Sequence, residues 1–278
     1  MIDDRARRSF EEQGYVVTRG LFDADETARL RDHFMRLREA GAYPGDVVGV
    51  EPSSDDPLKK YPRMIHMHRW DAVALDWLIE PRLAQSLTSL LGGIEPFGVQ
   101  TMLYFKPPGA RGQAVHQDQY YLRAAPGTCI AAWMALDSCD EENGCLEVVP
   151  GSHEWPILCA IGTDTSQSFT DLTVPLPEDA ELVPALMKPG DVLFFNGSLV
   201  HGSKPNRSDR FRRALIGHYI EGEAREVAYW YHPVLRMDGS EVELKKGPGG
   251  GPCGEWVDSK GRRVIELTGV AVDPRTTE

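Results

Sequence analysis

Long apolar runs are missing from this sequence of 278 residues: no stretch approaches the ~20 consecutive apolar residues that cross a bilayer. The charged N-terminus, residues 1–8, is not followed by the apolar segment of a secretory signal. A membrane is therefore not expected as a partner, and secretion through such a signal is not expected either.

Cysteine is scarce as well. The five cysteines are an odd number, include no C-x-x-C pair and lack the spacing of a disulfide framework. Cys129 and Cys145 lie in apolar runs, which is typical of small buried hydrophobic residues. We therefore expect no disulfide framework, and the composition favours a reducing, cytoplasmic location.

Positive charge is in the minority, since 30 lysines and arginines stand against 42 aspartates and glutamates, for a net charge of -12. A surface of this sign makes nucleic acid or an anionic membrane an unexpected partner. An anionic ligand would need a specific arginine or lysine to hold it. The hydrophobic share of 41% and the charged share of 26% are typical of an ordinary globular protein.

The first third of the chain predicts helices. Residues 3–13 have a helical pattern, and Asp23 with Glu26 forms a capping-box pattern before a second helix. Further helices are expected to begin at Asp71 and at Pro81, because proline is favoured in the first turn.

A loop without periodicity, residues 41–60, interrupts this helical part. The stretch 61–70 follows it and contains two histidines, two arginines and two aromatic residues. It is either a substrate-facing wall or an amphipathic linker whose histidines happen to alternate.

From about Phe97 the pattern changes to short apolar runs separated by turn clusters, which is typical of a β-sandwich or barrel. The runs are 99–105, 115–122, 129–136, 146–149, 182–187, 192–196 and 214–220. Helices followed by strands predict an α+β protein with a mainly β core. We expect a single domain over residues 1–278. Its parts are a helical part (1–96), a β core (97–221) and a C-terminal segment (222–278) that wraps the core with little regular structure.

The segment 114–120 holds His116 and Asp118 within a strand-like pattern. Residues i and i+2 of a strand point to the same face, so the imidazole and the carboxylate are expected on one side. Taken alone, an aspartate beside a histidine is more often a structural hydrogen-bonded pair than a metal site.

A second apolar run ends at another imidazole. A Pro-Gly turn leads into a hydrophobic strand that ends at His201, and Ser203 is expected to share its face. His116 and His201 are too distant in sequence for a zinc finger, but the strands of a barrel can bring them together. With Asp118 they would form the 2-His-1-carboxylate set of a non-haem Fe(II) site, which leaves positions free for a co-substrate and O2.

These residues belong to a longer pattern that resembles the phytanoyl-CoA dioxygenase family of Fe(II)/2-oxoglutarate-dependent oxygenases. The similarity covers the whole predicted β region and extends to the N-terminal segment 10–22. Its segments, in the order of the family, are QTMLYFKPPG (100–109), HQD (116–118), AAW (131–133), NGCLEVVPGSH (143–153), KPGD (188–191), HGS (201–203) and FR (211–212). Each segment is weak alone, and together they make the resemblance specific.

The resemblance implies a double-stranded β-helix, a cupin-like jelly roll with the N-terminal helices packed on one sheet. It implies that His116, Asp118 and His201 bind Fe(II). It further implies that Arg212 holds the distal carboxylate of 2-oxoglutarate, supported by the hydroxyl of Ser203. That role suits a permanently charged, forked guanidinium.

The resemblance also extends the list of expected contacts. Trp133 would line the co-substrate pocket, whereas without the resemblance it would be a core residue. Gln100 and Tyr104 fall where relatives contact co-substrate or substrate, although family members vary there. The candidates for substrate contact are His66, His68, Arg69, Tyr120, Tyr121 and Arg123.

Two further residues near the expected site have open interpretations. Arg213 should face away from the side of its strand that carries Arg212. His218 shares the strand parity of Arg212, so it is either a satisfied core histidine or part of the barrel lining.

The function that the resemblance implies is hydroxylation, or another oxidation, of a small-molecule metabolite. 2-Oxoglutarate and O2 are co-substrates, and succinate and CO2 are released. Related halogenases replace the carboxylate with a small residue, so the intact Asp118 favours hydroxylation, desaturation or ring formation. Two alternatives stay open, a cupin-like metal-dependent isomerase or lyase and a catalytically inactive jelly roll that binds a small molecule. The sequence does not identify the substrate, and it has no lysine and arginine cluster suited to the phosphates of CoA.

Overall fold

The computed structural model describes residues 2–46 and 49–271. Residues 47–48 of the expected loop and residues 272–278 of the C-terminal segment lie outside this part. The α-helices are α1 (Asp4–Gln13), α2 (Ala24–Glu39), α3 (Pro57–Lys60), α4 (Ala72–Leu78), α5 (Pro81–Leu90) and α6 (Gln119–Leu122). Short 3-10 turns lie at Met67–Arg69, Ser152–Glu154 and Tyr229–Tyr231.

The N-terminal helices begin and end where their capping residues predict. The side chain of Asp3 accepts a hydrogen bond of 2.7 Å from the Ala6 N–H, and Gly14, with a φ of 81°, ends α1. Asp23 and Glu26 form the predicted capping box on α2. The prediction of helices in this part of the chain is confirmed.

The described strands that follow and surround these helices form two main sheets and three further sheets of two strands each. They are β1 (Tyr15–Thr18), β2 (Met64–Ile65), β3 (Pro96–Lys106), β4 (Gln113–His116), β5 (Cys129–Ala135), β6 (Leu146–Val148), β7 (Ile161–Gly162), β8 (Leu172–Thr173), β9 (Val183–Pro184), β10 (Val192–Asn196), β11 (His201–Ser203), β12 (Arg212–Glu221), β13 (Glu226–Ala228), β14 (Val234–Leu235), β15 (Glu241–Val242), β16 (Lys245–Gly247), β17 (Gly251–Ser259) and β18 (Arg262–Ala271). The large sheet has eight strands in the order β1-β10-β5-β12-β3-β14-β15, with β2 also paired to β3. The small sheet has the order β4-β11-β6-β9, and the two-stranded sheets are β7-β8, β13-β16 and β17-β18.

The large sheet separates two apolar layers. On one face Leu103 and Phe105 of β3 belong to a buried cluster with Phe34 of α2 and Leu87 of α5. The other face contributes to a second cluster, which reaches the small sheet through Leu146. Alternation along β3 therefore directs one set of side chains to the helices and the other set to the space between the sheets. This arrangement is the predicted double-stranded β-helix with the N-terminal helices packed on one sheet.

The strand expected over residues 115–122 is shorter than its sequence predicts. Strand β4 ends at His116, and Asp118 has helical dihedral angles at the start of α6. The Asp118 carbonyl accepts hydrogen bonds from the Tyr121 and Leu122 N–H groups, which closes a helical turn. The expectation that His116 and Asp118 share the face of one strand was therefore wrong, and the two side chains converge because the chain turns between them.

The C-terminal segment has more regular structure than expected. Strands β17 and β18 form a long antiparallel hairpin in which Trp256 lies opposite Ile265. Both residues pack on an apolar cluster that contains Leu158 and Val174. The expectation of little regular structure was wrong here, because the glycine-rich stretch 247–252 runs directly into β17, which begins at Gly251.

A disulfide bond between Cys159 and Cys253 ties this hairpin to the loop that follows β6. The sequence indicated no disulfide framework, and this single bond was not predicted. The fold brings these two distant cysteines together, so their spacing in the sequence does not predict the bond. Cys129 and Cys145 are unpaired and buried, as expected.

Within the described residues, none of the helices has the length and apolar character needed to cross a membrane.

Candidate metal centre

Three side chains with metal-binding atoms converge beside the small sheet. His116, the last residue of β4, pairs with His201, the first residue of β11. Asp118 Oδ1 lies 3.5 Å from His116 Nε2, and Asp118 Oδ2 lies 3.8 Å from His201 Nε2. The three potential ligand atoms all lie within 4.8 Å of one another. The fold thus assembles the set that the sequence predicted.

Both imidazoles present Nε2 to the centre because Nδ1 is engaged elsewhere. His116 Nδ1 lies 2.9 Å from the Ala114 carbonyl oxygen, and His201 Nδ1 lies 2.9 Å from that of Leu199. Each Nδ1–H therefore donates to a carbonyl and leaves a lone pair on Nε2, the tautomer that binds a metal. The side-chain amide nitrogen of Gln113 lies 3.1 Å from His116 Nε2, and a metal ion would replace this hydrogen bond.

Asp118 is oriented by a histidine of the large sheet. His218 Nε2, on β12, lies 3.1 Å from Asp118 Oδ2. Burial raises the pKa of Asp118, but the adjacent His201 and His218 outweigh burial and hold the pKa well below its usual value. Burial, with His116 nearby, lowers the pKa of His201 to about 4. An ionised carboxylate with a neutral imidazole at physiological pH fits a divalent iron ion.

The three residues line a cavity of about 590 Å³ between the two sheets. The large sheet contributes Trp133, Phe195 and Ile216 to its wall, and the small sheet contributes Leu146. A largely apolar enclosure with a few convergent polar groups is the usual form of a small-molecule site.

Arg212 lies in this cavity wall without a carboxylate partner in the part of the chain that the structure describes. It is only 4% exposed, and its Nε has no hydrogen-bond partner among the described residues. Its Cζ lies 5.3 Å from the centroid of the Trp133 ring. The next residue, Arg213, binds Asp137 instead, as strand parity predicts. A buried guanidinium with an orphaned N–H fits an anionic ligand, and the distal carboxylate of 2-oxoglutarate is such a group.

The remaining predicted co-substrate residues, Ser203, Gln100 and Tyr104, also line the cavity. Ser203 Oγ accepts a hydrogen bond of 2.8 Å from Lys106 Nζ. Sequence reasoning did not assign Lys106 a role. The alternation of Gln100, Tyr104 and Lys106 on β3 was a signal that could have found it, because alternate residues of a strand share a face.

The comparison with known families agrees with this geometry. The sequence profile of the phytanoyl-CoA dioxygenase (PhyH) family matches residues 10–214, which include the three candidate ligands and Arg212. The chain belongs to the phytanoyl-CoA dioxygenase family.

Relatives and solved structures are similar over most of their length. Phytanoyl-CoA dioxygenase 1 from Oryza sativa subsp. japonica is 28% identical over 257 residues, covering 81% of this chain and 91% of the rice protein. The crystal structure of EctD from S. alaskensis with 2-oxoglutarate and 5-hydroxyectoine is 26% identical, with a TM-score of 0.65 and coverage of 81% of this chain and 78% of EctD. The crystal structure of the epimerase SnoN in complex with Fe3+, alpha ketoglutarate and nogalamycin RO shares the fold at 21% identity, with a TM-score of 0.63. The match covers 80% of this chain and 84% of SnoN.

Family membership and the donor set together define the class of activity. This member of the phytanoyl-CoA dioxygenase family is an Fe(II)/2-oxoglutarate-dependent oxygenase, with O2 as its second co-substrate.

Three predicted substrate contacts follow the metal motif in the sequence: Tyr120, Tyr121 and Arg123. Of these three, Tyr121 lies in the cavity wall of this oxygenase. Its ring centroid is 6.4 Å from that of His116. Tyr120 packs instead with the buried Cys253. Arg123 extends away to the hairpin and donates to two carbonyl oxygens at the start of β17.

Three further substrate contacts were predicted just before α4: His66, His68 and Arg69. They are not among the described residues that line the cavity. His68 Nδ1 lies 3.0 Å from Thr101 Oγ1, on the opposite face of β3 from the cavity. Arg69 is exposed and donates to the Trp230 carbonyl. The chain turns at His66, whose φ is 55°, so a strand alternation cannot continue through this stretch.

The same stretch contributes Arg63 and Ile65 to the cavity instead. The exposed Arg63 lies with its Cζ 5.7 Å from the centroid of the Phe169 ring, which also lines the cavity. Leu172 and Tyr231 also line this side. Arg63 and Ile65 belong to the stretch 61–70 that the sequence singled out, but Phe169 and Leu172 were missed, because the loop around Phe169 has no periodicity that would place it.

Proposed function

We propose that this oxygenase hydroxylates a small-molecule metabolite at a metal centre formed by His116, Asp118 and His201, with 2-oxoglutarate held by Arg212 and Ser203. One observation carries the proposal. Three ligand atoms within 4.8 Å of one another share a single cavity with a buried guanidinium whose Nε lacks a partner among the described residues.

The side chains of the centre would divide the work of binding iron. The two imidazoles would bind it through Nε2, because their Nδ1 atoms donate to backbone carbonyls. Asp118, kept ionised and oriented by His218, would supply the third ligand. This set leaves about half of the positions of an octahedral ion free for co-substrate and O2.

When bound, iron and 2-oxoglutarate supply the oxidation, in which 2-oxoglutarate loses CO2 to become succinate and O2 is consumed. The chain itself binds and orients. Arg212 and Ser203 would fix the distal carboxylate, so that the reacting end points toward the histidines. Trp133 and Phe195 would keep water away from that end, since both are buried in the wall.

The substrate would occupy the side of the cavity formed by Ile65, Tyr121, Phe169 and Leu172. A cavity of about 590 Å³ suits a small molecule, and these side chains would contact its apolar part. An acyl-CoA is disfavoured because its phosphates would need several cations near the entrance. Two arginines, Arg63 and Arg111, line this side of the cavity. Arg111 already binds Asp56 at 2.7 Å, so it does not offer an unpaired positive charge to a phosphate.

The net charge of -12 also argues against nucleic acid as a partner. A cytoplasmic location remains a prediction.

The activity can be tested with succinate as the product. Protein purified without oxygen and then given Fe(II), 2-oxoglutarate and air should form succinate, and a true substrate should accelerate this. Asp118→Ala should lower the rate by about 100-fold or more, because it removes a metal ligand. Asp238→Ala, which removes an exposed carboxylate, is the matched control.

Equal succinate formation by the wild type and Asp118→Ala would refute the assignment of the metal centre. Absence of succinate from the wild type with every substrate of a broad panel of small metabolites would refute the proposed reaction.

A further inference from the structure

Lys106 is a second buried cation in the cavity wall, and the metal centre does not use it. It is only 3% exposed and lies directly opposite Arg212 in the pairing of β3 with β12. Side chains of directly paired strand residues lie on the same face, and like charges in such a pair repel each other. Burial and, to a smaller extent, repulsion from Arg212 lower the pKa of Lys106 well below its usual value, so a bound anion would stabilise its charged form.

The nearby acidic side chains do not neutralise this pair of cations. Within the described residues, neither Lys106 nor Arg212 has a carboxylate oxygen within 4.0 Å. Glu147 binds Lys204 at 2.7 Å, and Asp137 binds Arg213 at 2.7 Å. A pair of like charges without counter-charge is costly in a protein interior, so its presence favours an anionic ligand.

The ammonium group of Lys106 is held in a fixed position. It donates to Ser203 Oγ at 2.8 Å, to the Gly144 carbonyl at 3.2 Å and to the Lys204 carbonyl. A side chain at Gly144 would crowd this arrangement, because its Cβ would lie 2.3 Å from the Lys204 oxygen and 3.0 Å from Lys106 Nζ. Since Lys106 donates to the Ser203 oxygen, the hydroxyl proton of Ser203 is free to point elsewhere in the cavity.

We propose that Lys106 is a positioning residue for the co-substrate: it orients the Ser203 hydroxyl toward the distal carboxylate and adds a second positive charge beside Arg212. The inference rests on the proposed function, because it assumes that 2-oxoglutarate occupies this part of the cavity. Lys106 thereby makes the site selective for a 2-oxo acid with a second carboxylate over one without it.

The test measures binding and not turnover. Protein loaded with Fe(II) in the absence of oxygen is titrated calorimetrically with 2-oxoglutarate and with 2-oxopentanoate, which has the same carbon chain but no distal carboxylate. Lys106→Met should weaken 2-oxoglutarate binding by about 10- to 100-fold, the scale of a charge-assisted hydrogen bond. Binding of 2-oxopentanoate should stay within about twofold of the wild type, since it has no group for Lys106 to favour.

Three variants make the result specific. Lys106→Gln keeps a hydrogen-bond donor without the charge, so it should lose less affinity than Lys106→Met and provides the same comparison if Lys106→Met does not fold. Ser203→Ala should also weaken 2-oxoglutarate selectively. Lys188→Met removes an exposed lysine from the turn before β10 and should bind both acids like the wild type.

The inference is overturned if Lys106→Met and Lys106→Gln bind 2-oxoglutarate like the wild type, or if either loses affinity for both acids equally. Failure of the wild type to bind 2-oxoglutarate in the presence of Fe(II) is a different result, since it would refute the proposed function itself.

Discussion

At the scale of single residues, His218 shows how a neighbour of the metal ligands can decide their geometry. Asp118 stands outside any strand, so its carboxylate is not oriented by a pleated backbone. The hydrogen bond from His218 Nε2 at 3.1 Å fixes it instead. Partners of this kind, which orient a ligand without binding the metal, typically contribute 10- to 100-fold in affinity.

His218→Leu should therefore weaken Fe(II) binding by about 10- to 100-fold, while His218→Gln, which can still donate to the carboxylate, should restore part of it. The measurement is an anaerobic competition titration with a metal chelator. His33→Leu is the matched control, because His33 makes a similar 3.0 Å contact with Asp71 away from the cavity. An unchanged Fe(II) affinity in His218→Leu would contradict the role given to this histidine.

His68 makes the stability of the fold depend on pH. Burial, with Arg69 nearby, lowers the pKa of His68 from 6.5 to about 4. Between these values the unfolded chain takes up a proton and the folded chain does not. The neutral, buried form of His68 therefore leaves the free energy of unfolding at its full value above pH 6.5. This free energy decreases as the pH falls from 6.5 toward about 4. This pKa shift corresponds to a loss of roughly 3 kcal/mol in the free energy of unfolding.

Urea unfolding of the wild type and of His68→Gln at pH 7 and at pH 4.5 tests this. The wild type should lose more stability on acidification than the variant, by up to roughly 3 kcal/mol. The His33→Gln variant controls for the loss of a histidine elsewhere. Identical losses in the wild type and His68→Gln would show that the burial of His68 has no such effect.

At the scale of elements, the C-terminal hairpin of β17 and β18 depends on contacts with distant parts of the chain. The Cys159–Cys253 disulfide closes a sequence separation of 94 residues. Arg123 adds hydrogen bonds to the start of β17, and Trp256 donates its indole N–H to the Pro175 carbonyl at 3.1 Å. The hairpin is thereby held against the segment that contains Tyr120 and Tyr121.

Replacing both disulfide cysteines by serine should lower the free energy of unfolding by about 2–5 kcal/mol, because a long closed loop restricts the unfolded chain. Reducing agent should destabilise the wild type and leave the double variant unchanged in a thermal melt. Thiol titration of the denatured wild type should find the three cysteines that are unpaired in the structure and five after reduction. Five reactive thiols before reduction would contradict the pairing.

At the scale of the whole molecule, the two sheets create the site by joining strands that are remote in sequence. Strand β11 lies between β4 and β6, which places His201 opposite His116. Strand β12 lies between β3 and β5, so Arg212 and Trp133 reach the same cavity. Much of this architecture was predictable, because turn clusters and apolar runs mark the strands, and the family motifs imply their order.

Features that depend on neighbouring residues could be read from the sequence alone. The capping box of Asp23 and Glu26 and the donor types of His116 and His201 are of this kind. Local hydrogen bonding decides the first, and the chemistry of imidazole decides the second. Family motifs extended this reading to Arg212, which the structure places in the cavity wall.

Only the tertiary structure decided features that depend on pairing between distant segments. The opposition of Lys106 to Arg212, the support of Asp118 by His218 and the disulfide at Cys159 all arise from strand register and packing. A strand shifted by one residue would turn each strand side chain to the other face, and nothing in the adjacent sequence reports that register. The sequence thus determined which groups can bind iron and a carboxylate, and the fold determined which of them meet.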